Sequence, residues 1–406
     1  GCFFEWMCEE LENLLSLLKK QMHFFLDHHK SKLPNVKTTI FTTMSQLSKE
    51  NDAINLSQGF PDFDCPKLLI EETQKALLAD HDQYAPMAGA EVLREAISRK
   101  TELCYHQSYC PESEITITAG ATQALYTAIS AFVKPKDEVI IIKPAYDCYE
   151  PAIRVNGGIP IEYQIKDSDY KIDWASFSEK INSHTKMIIL NSPNNPSGAI
   201  LSKEDMQSLE SILKDKSILL LCDDVYEHII FDGVKHQSAC LFPELKKRAI
   251  ICSSFGKTYH ITGWKIGYCL APKELMNEFR KVHQYNVFSV HHPSQIALAN
   301  FLNKSEDYLS LHQFYQEKRD FFLNAIEGSK FRFKPTQGTY FQLLNYDSIT
   351  DEKDMDFAIR LVKEHKIASI PLSPFNSIST NKVLRFCFAK KNETLEKAAE
   401  ILCKIN

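Results

Sequence analysis

The sequence predicts an α/β protein, with a large domain built on a mostly parallel central sheet and a smaller α+β domain after it. Three observations lead there. From about Glu71 to Pro293, short β-rich runs alternate with stretches of helical periodicity, the pattern of strands joined by crossover helices. Four of those runs end directly in polar, turn-forming segments, as expected where strands point into a ligand crevice. Beyond about Leu302 the alternation stops, and a long polar helical pattern through Arg319 is followed by strand signals near Phe331, Tyr340 and Leu384 and a closing helix from Glu393.

The elements follow in chain order. Residues 1–30 carry Phe3, Phe4, Trp6, Leu11, Leu14, Leu15, Leu18, Met22 and Phe25 at roughly helical spacing among Glu9, Glu10, Glu12, Lys19 and Lys20, so an amphipathic helical extension is expected. It lacks the basic start of a secretory leader, and the first arginine of the chain is Arg94, which argues against an arginine-rich transit peptide. Residues 31–70 are read as an arm and part of the smaller domain, 71–301 as the large domain and 302–406 as the small C-terminal domain. Strands are expected at Ile115–Thr118, Glu138–Ile142, Met187–Leu190, Ile218–Cys222, Ala249–Ser253 and Ile266–Leu270. Helices are expected at Ala121–Val133, Lys203–Leu213 and Lys273–Gln284.

Composition narrows the partners. A net charge of −5 and a pI near 6.3 supply no general attraction for nucleic acid or an anionic membrane, which leaves small molecules as the expected ligands. No apolar run is long enough to span a bilayer. The twelve cysteines contain no C-x-x-C pair, so no metal site is expected, and reduced thiols in a cytoplasmic protein fit best.

The four strand-end segments are Gly120-Ala121-Thr122, Asn191 to Gly198, Asp223-Asp224-Val225-Tyr226 and Ser253 to Lys257. Ser254-x-x-Lys257 followed by Thr262-Gly263-Trp264, with Asn195-Pro196-Ser197-Gly198 and Asp223-x-x-Tyr226, closely resembles the class I/II aminotransferases. These are pyridoxal-phosphate (PLP) enzymes of fold type I. Asn55 to Phe63, Gln83-Tyr84 and Asp147 to Pro151 resemble the kynurenine, glutamine and methionine aminotransferase branch, with methionine aminotransferase as the nearest likeness. The resemblance runs from about Ser31 to the C-terminus.

The resemblance implies a role for each matching residue. Lys257 would bond the PLP aldehyde covalently and later shuttle a proton, because an amine alone among side chains does both. Asp223, three residues before Tyr226, would pair with the ring nitrogen, with Asp224 as the competing carboxylate. Tyr226 and Asn195 would hydrogen-bond the ring's phenolic oxygen, and Tyr146 would stack on the ring face. Gly120, Ala121 and Thr122, which open a helix, would hold the phosphate with Ser254 and Lys265, and Tyr84 would reach in from a second subunit of a homodimer. Lys265 stands where the family often has arginine, so the phosphate would meet a point charge without the bidentate fork. Arg385, inside Leu384 to Phe388, would grip the substrate carboxylate from two points; its competing reading is a charged residue guarding an edge strand. Gly59 would add a backbone N–H to that carboxylate, and Phe60 would line the side-chain pocket.

The implied activity is ping-pong transamination of an apolar or aromatic amino acid, methionine favoured, with a 2-oxo acid. Kynurenine or glutamine transamination and β-elimination from cysteine conjugates are the near alternatives. A non-catalytic PLP-binding regulator would want a basic recognition helix, and the extension before Ser31 has none.

Overall fold

A computed structural model describes residues 10–22, 29–165, 169–377 and 382–405. Residues 1–37 form a unit of their own. Within it residues 10–22 are helical and exposed throughout, with Leu11, Leu14, Leu15, Leu17, Leu18 and Met22 all solvent-facing. The remainder of the proposed extension helix, residues 1–9 and 23–28, lies outside the described residues.

In the unit from Thr38 to Asn406 the described strands are β1 (Ile54–Asn55), β2 (Ile115–Thr118), β3 (Glu138–Lys143), β4 (Ile159–Gln164), β5 (Thr185–Asn191), β6 (Leu219–Asp223), β7 (Ala249–Ser254), β8 (Gly267–Leu270), β9 (Phe341–Asn345), β10 (Ile367–Ala368), β11 (Ile370–Pro371) and β12 (Val383–Cys387). Seven of them make the central sheet in the order β2-β8-β7-β6-β5-β3-β4. Pairs β3–β4, β3–β5, β5–β6 and β6–β7 are parallel, whereas β8 runs antiparallel to both β7 and β2. Hence β2 runs the same way as β7, and β8 alone is reversed.

Alternation along each strand explains why these runs are apolar almost without interruption. Ile188, Leu190, Leu220, Cys222 and Ile251 enter the core on one face, and their neighbours Met187, Ile189, Leu221, Ile250 and Cys252 enter the core on the other. The second core takes Ala124, Leu125, Ala128 and Ile129 from the helix Gly120–Phe132, and Met276 and Phe279 from the helix Lys273–Asn286. The first core takes Met206, Leu209 and Leu213 from the helix Lys203–Leu213. A sheet covered on both sides leaves only its strand ends for chemistry.

The later part of the chain folds around a third core. Strands β11, β12 and β9 form an antiparallel sheet with β12 in the middle, and β1 pairs with β10 in parallel. That core draws Ile40 and Met44 from the helix Ile40–Glu50, and Phe357, Ala358, Leu361 and Val362 from the helix Asp354–His365. The α/β class with its α+β companion is therefore as expected.

Some details depart from the sequence reading. β4 went unpredicted, and its edge position explains why: Pro160 interrupts it and Ile159 is exposed, so no clean period survives. The strand expected near Phe331 is reduced to one bridge between Arg332 and Asn345. The helix Asp354–His365 was also missed.

Candidate active site

The common direction of β2, β5, β6 and β7 brings Gly120, Asn191, Asp223 and Ser254 to one edge of the sheet. At the centre of that edge Asp223 is buried, and Tyr149 donates to its Oδ2 at 2.5 Å. Its other oxygen, Oδ1, is buried without a partner. Burial raises the Asp223 carboxyl to about 6; the Tyr149 hydrogen bond opposes this, and the charge of Asp224 adds to it. Asp224 is differently placed. Its Oδ2 lies 3.0 Å from His236 Nε2, in a buried ion pair.

Ser254 ends β7 and caps the short helix Phe255–Thr258 by accepting from Gly256 N at 2.9 Å. That turn carries Lys257 inward. Its amine donates to Gly59 O and to Tyr340 Oη, both at 2.9 Å. Burial lowers the Lys257 amine to about 8, with the Arg385 and Lys265 cations pulling the same way against the Cys387 thiol. An amine so placed has a substantial neutral fraction near physiological pH, as a nucleophile or base requires.

Arg385 lies on β12, the middle strand of its sheet, and is fully buried. The edge-strand explanation of this residue is thereby excluded. Nη1 donates to Asn195 Oδ1 at 2.6 Å and Nη2 to Ser57 O at 3.0 Å, while Nε has no partner. The guanidinium sits 3.8 Å from the Phe341 ring centroid, with Phe41 and Phe375 at 5.3 and 5.5 Å. Burial lowers it to about 10, opposed chiefly by Tyr226, Cys387, Tyr340 and Tyr146; the Asp147 carboxylate feels its charge without forming an ion pair with it. A buried cation without an acidic partner is costly unless a ligand supplies one.

The helix Gly120–Phe132 starts without a side-chain cap from Ala119, so its first N–H groups, on Gly120, Ala121 and Thr122, are free to meet an anion. The neighbouring chain fits tightly around this turn. Gly120 has φ +77, and a β-carbon there would lie 3.0 Å from Lys265 Nζ; one on Gly267 would lie 2.8 Å from Gly120 C and 2.9 Å from Ala121 N. Lys265 itself is exposed in a left-handed turn. Tyr146 packs against Tyr149 and Phe41, with ring centroids 6.0 and 6.3 Å apart. Tyr226 is buried edge-on against Tyr340, at 5.4 Å and 90°.

Other expected residues sit differently. Gly59 offers its carbonyl, not its N–H, to the lysine. Phe60 is 44% exposed, with Lys390 Nζ over its ring at 4.8 Å. Tyr84 is 81% exposed and meets Phe288 at 5.3 Å between ring centroids, so it serves no site within its own chain. Sequence reasoning overlooked Tyr149 and Tyr340. The first was inside a motif already singled out, Asp147 to Pro151; the second was noted only as a strand signal.

Comparison with known proteins bears directly on this geometry. The family model for aminotransferase class I and II matches residues 51–402. The chain belongs to the class I and II aminotransferases. Over 92% of its length it is 46% identical to a methionine aminotransferase of Escherichia coli, of which it covers 97%. It is 32% identical to human kynurenine–oxoglutarate transaminase 3, covering 91% of this chain and 89% of the relative. Among solved structures, YbdL from Escherichia coli, described with a methionine aminotransferase function, superposes with a TM-score of 0.91 at 46% identity over 92% of this chain and 99% of that one. The N-succinyldiaminopimelate aminotransferase of Mycobacterium tuberculosis gives 0.89 at 31% identity over 93% and 100%.

The aminotransferase is a PLP enzyme of fold type I that acts on amino acids and 2-oxo acids. Its own residues fit the cofactor: a buried carboxylate oxygen awaits a donor, an amine of lowered basicity stands by, and an uncapped helix start faces a cation. A protonated ring nitrogen against Asp223 Oδ1 would bring that carboxyl back down, since an opposite charge outweighs burial at contact distance. Among the described residues no helix is long and apolar enough to cross a membrane.

Proposed function

We propose that this aminotransferase moves the α-amino group of an apolar or aromatic L-amino acid, methionine foremost, to a 2-oxo acid in two half-reactions. The observation that carries this reading is Arg385, a fully buried cation with no carboxylate in ion-pair contact, set among the rings of Phe341, Phe41 and Phe375. A carboxylate on Arg385 leaves the substrate side chain among aromatic faces, which suits thioether and aromatic groups. The stronger likeness to a methionine aminotransferase than to a kynurenine transaminase supports the same order.

PLP supplies an aldehyde that takes up the amino group and a ring that accepts the electrons of the broken Cα–H bond. Lys257 would hold the cofactor between turnovers and, as a free amine, would take the proton from the substrate Cα and give it up again. Asp223, oriented by Tyr149, would keep the ring nitrogen protonated; Asp224 is already engaged by His236. Asn195 and Tyr226 would hold the phenolic oxygen, and Tyr146 would cover the ring. Gly120, Ala121, Thr122, Ser254 and Lys265 would hold the phosphate. Arg385, with Gly59, fixes the substrate carboxylate, so that Cα–H points at the base, and Phe60 borders the side-chain pocket.

Further parts of the reading have their own support. Tyr84 is too exposed for its own site and suits a homodimer in which each subunit lends it to the other. The ten described cysteines are all free, in keeping with a reducing, cytoplasmic setting. Residues 71–301 act as the cofactor-binding domain, and 31–70 with 302–406 as the domain that brings Arg385 to it.

Mixing the holoenzyme with methionine is expected to bleach the visible cofactor band and yield the corresponding 2-oxo acid. Faster turnover of kynurenine, or release of a thiol and pyruvate from cysteine conjugates in preference to transamination, would move the assignment within the family. An unchanged spectrum across a broad panel of amino acids would reject it.

A further inference from the structure

We infer that Tyr340 is a positioning residue for Lys257, fixing which way the lone pair of the free amine points during proton transfer. The inference rests on the transamination reading above and adds to it a residue outside the matched motifs.

A neutral amine has two hydrogens and one lone pair. Here Lys257 Nζ donates to two acceptors, Gly59 O and Tyr340 Oη, each at 2.9 Å. Tyr340 in turn donates its hydroxyl proton to Gly59 O, so its oxygen can only accept from the lysine. Both amine hydrogens are thereby used, and the lone pair is left as the third, unoccupied direction. With Gly59 O alone, the amine would keep one hydrogen free to rotate, and the lone pair would sweep a cone.

Tyr340 is well suited to hold an atom in place. It is fully buried, and its backbone carbonyl accepts from Phe388 N at 3.0 Å. Its ring is wedged between Tyr226, Tyr315 and Phe341, at 5.4, 5.5 and 5.1 Å between centroids. In the transfer the substrate Cα–H bond would break, with PLP supplying the acceptor for its electron pair, and the proton would join the Lys257 lone pair to give an ammonium with three hydrogens. Giving up one of these again would restore the neutral amine. Tyr340 gains and loses no proton in this sequence; it sets direction only.

The test is Tyr340→Phe, which keeps the ring and removes the hydroxyl. Turnover with methionine should fall about tenfold or more, while KM stays within about twofold, because the lost interaction matters after binding. The isotope effect from α-deuterated methionine should rise, since proton transfer becomes the slower step. A second readout needs no turnover. In the aminated form of the holoenzyme, where Lys257 is free, its labelling by acetic anhydride should reach half-extent at a lower pH than in the parent, because an acceptor that favours the charged amine is gone. A more neutral yet slower base is the signature of lost orientation. Turnover within about twofold of the parent with an unchanged isotope effect overturns the role. So does a loss of turnover matched by loss of bound cofactor, with isotope effect and labelling profile unmoved. A parent enzyme that itself fails to transaminate overturns the assigned function as well.

Discussion

Replacing Lys257 with alanine is expected to lower turnover by roughly a thousandfold or more while leaving the protein folded and able to bind PLP. The size follows from two functions carried by one amine: covalent attachment, and transfer of the Cα proton. No other amine stands in its place, because Lys265, the other nearby lysine, is at the Gly120 turn, within 3.0 Å of a β-carbon built there. The fold should survive because the acceptors of Lys257 are not orphaned by its removal. Gly59 O keeps Tyr340 as a donor, and Tyr340 Oη was satisfied as a donor already. Steady-state kinetics with methionine, alongside thermal unfolding of both proteins, checks the result. Turnover near that of the parent would place the base elsewhere.

The conservative change Arg385→Lys should lower kcat/KM for the amino acid by about a hundredfold, chiefly through KM. A lysine keeps the charge, but it cannot donate at once to Asn195 Oδ1, Ser57 O and a two-oxygen carboxylate from one plane. It also loses the face that rests on Phe341 at 3.8 Å. The ammonium would be more heavily penalised by burial than the guanidinium it replaces. Comparing methionine with the corresponding amine that lacks a carboxylate separates the causes. Arg385→Lys should weaken use of the first and leave any slow reaction of the second untouched. Equal losses on both would show general damage to the site.

The sheet was legible because its strands are buried on both faces, so that Ile188 to Leu190 and Leu220 to Cys222 read as unbroken apolar runs ending in polar turns. Where burial is one-sided or partial the signal failed, as in β4 with its Pro160 and exposed Ile159. Site residues at or just beyond strand ends, such as Asp223, Ser254 and Lys257, sit in local patterns that chemistry demands. Arg385 was visible for a different reason, a charge inside an apolar strand. Tyr340 and Tyr149 were not visible, because each acts through a contact made across the fold: 83 residues separate Tyr340 from Lys257, and 74 separate Tyr149 from Asp223. A tyrosine hydroxyl in such a place looks like packing until its partner is known. Asp223 was preferred to Asp224 from the motif alone, three residues before Tyr226; what the motif could not show is their partners, His236 on Asp224, and on Asp223 Tyr149 with one oxygen left unpartnered.

The account turns on where the coenzyme is joined to the chain. Reducing the holoenzyme with borohydride, digesting it and sequencing the pyridoxyl-labelled peptide by mass spectrometry should place the label on Lys257, in the peptide that contains Ser254. A label on Lys265 or any other lysine, or coenzyme that washes away unreduced, would contradict it.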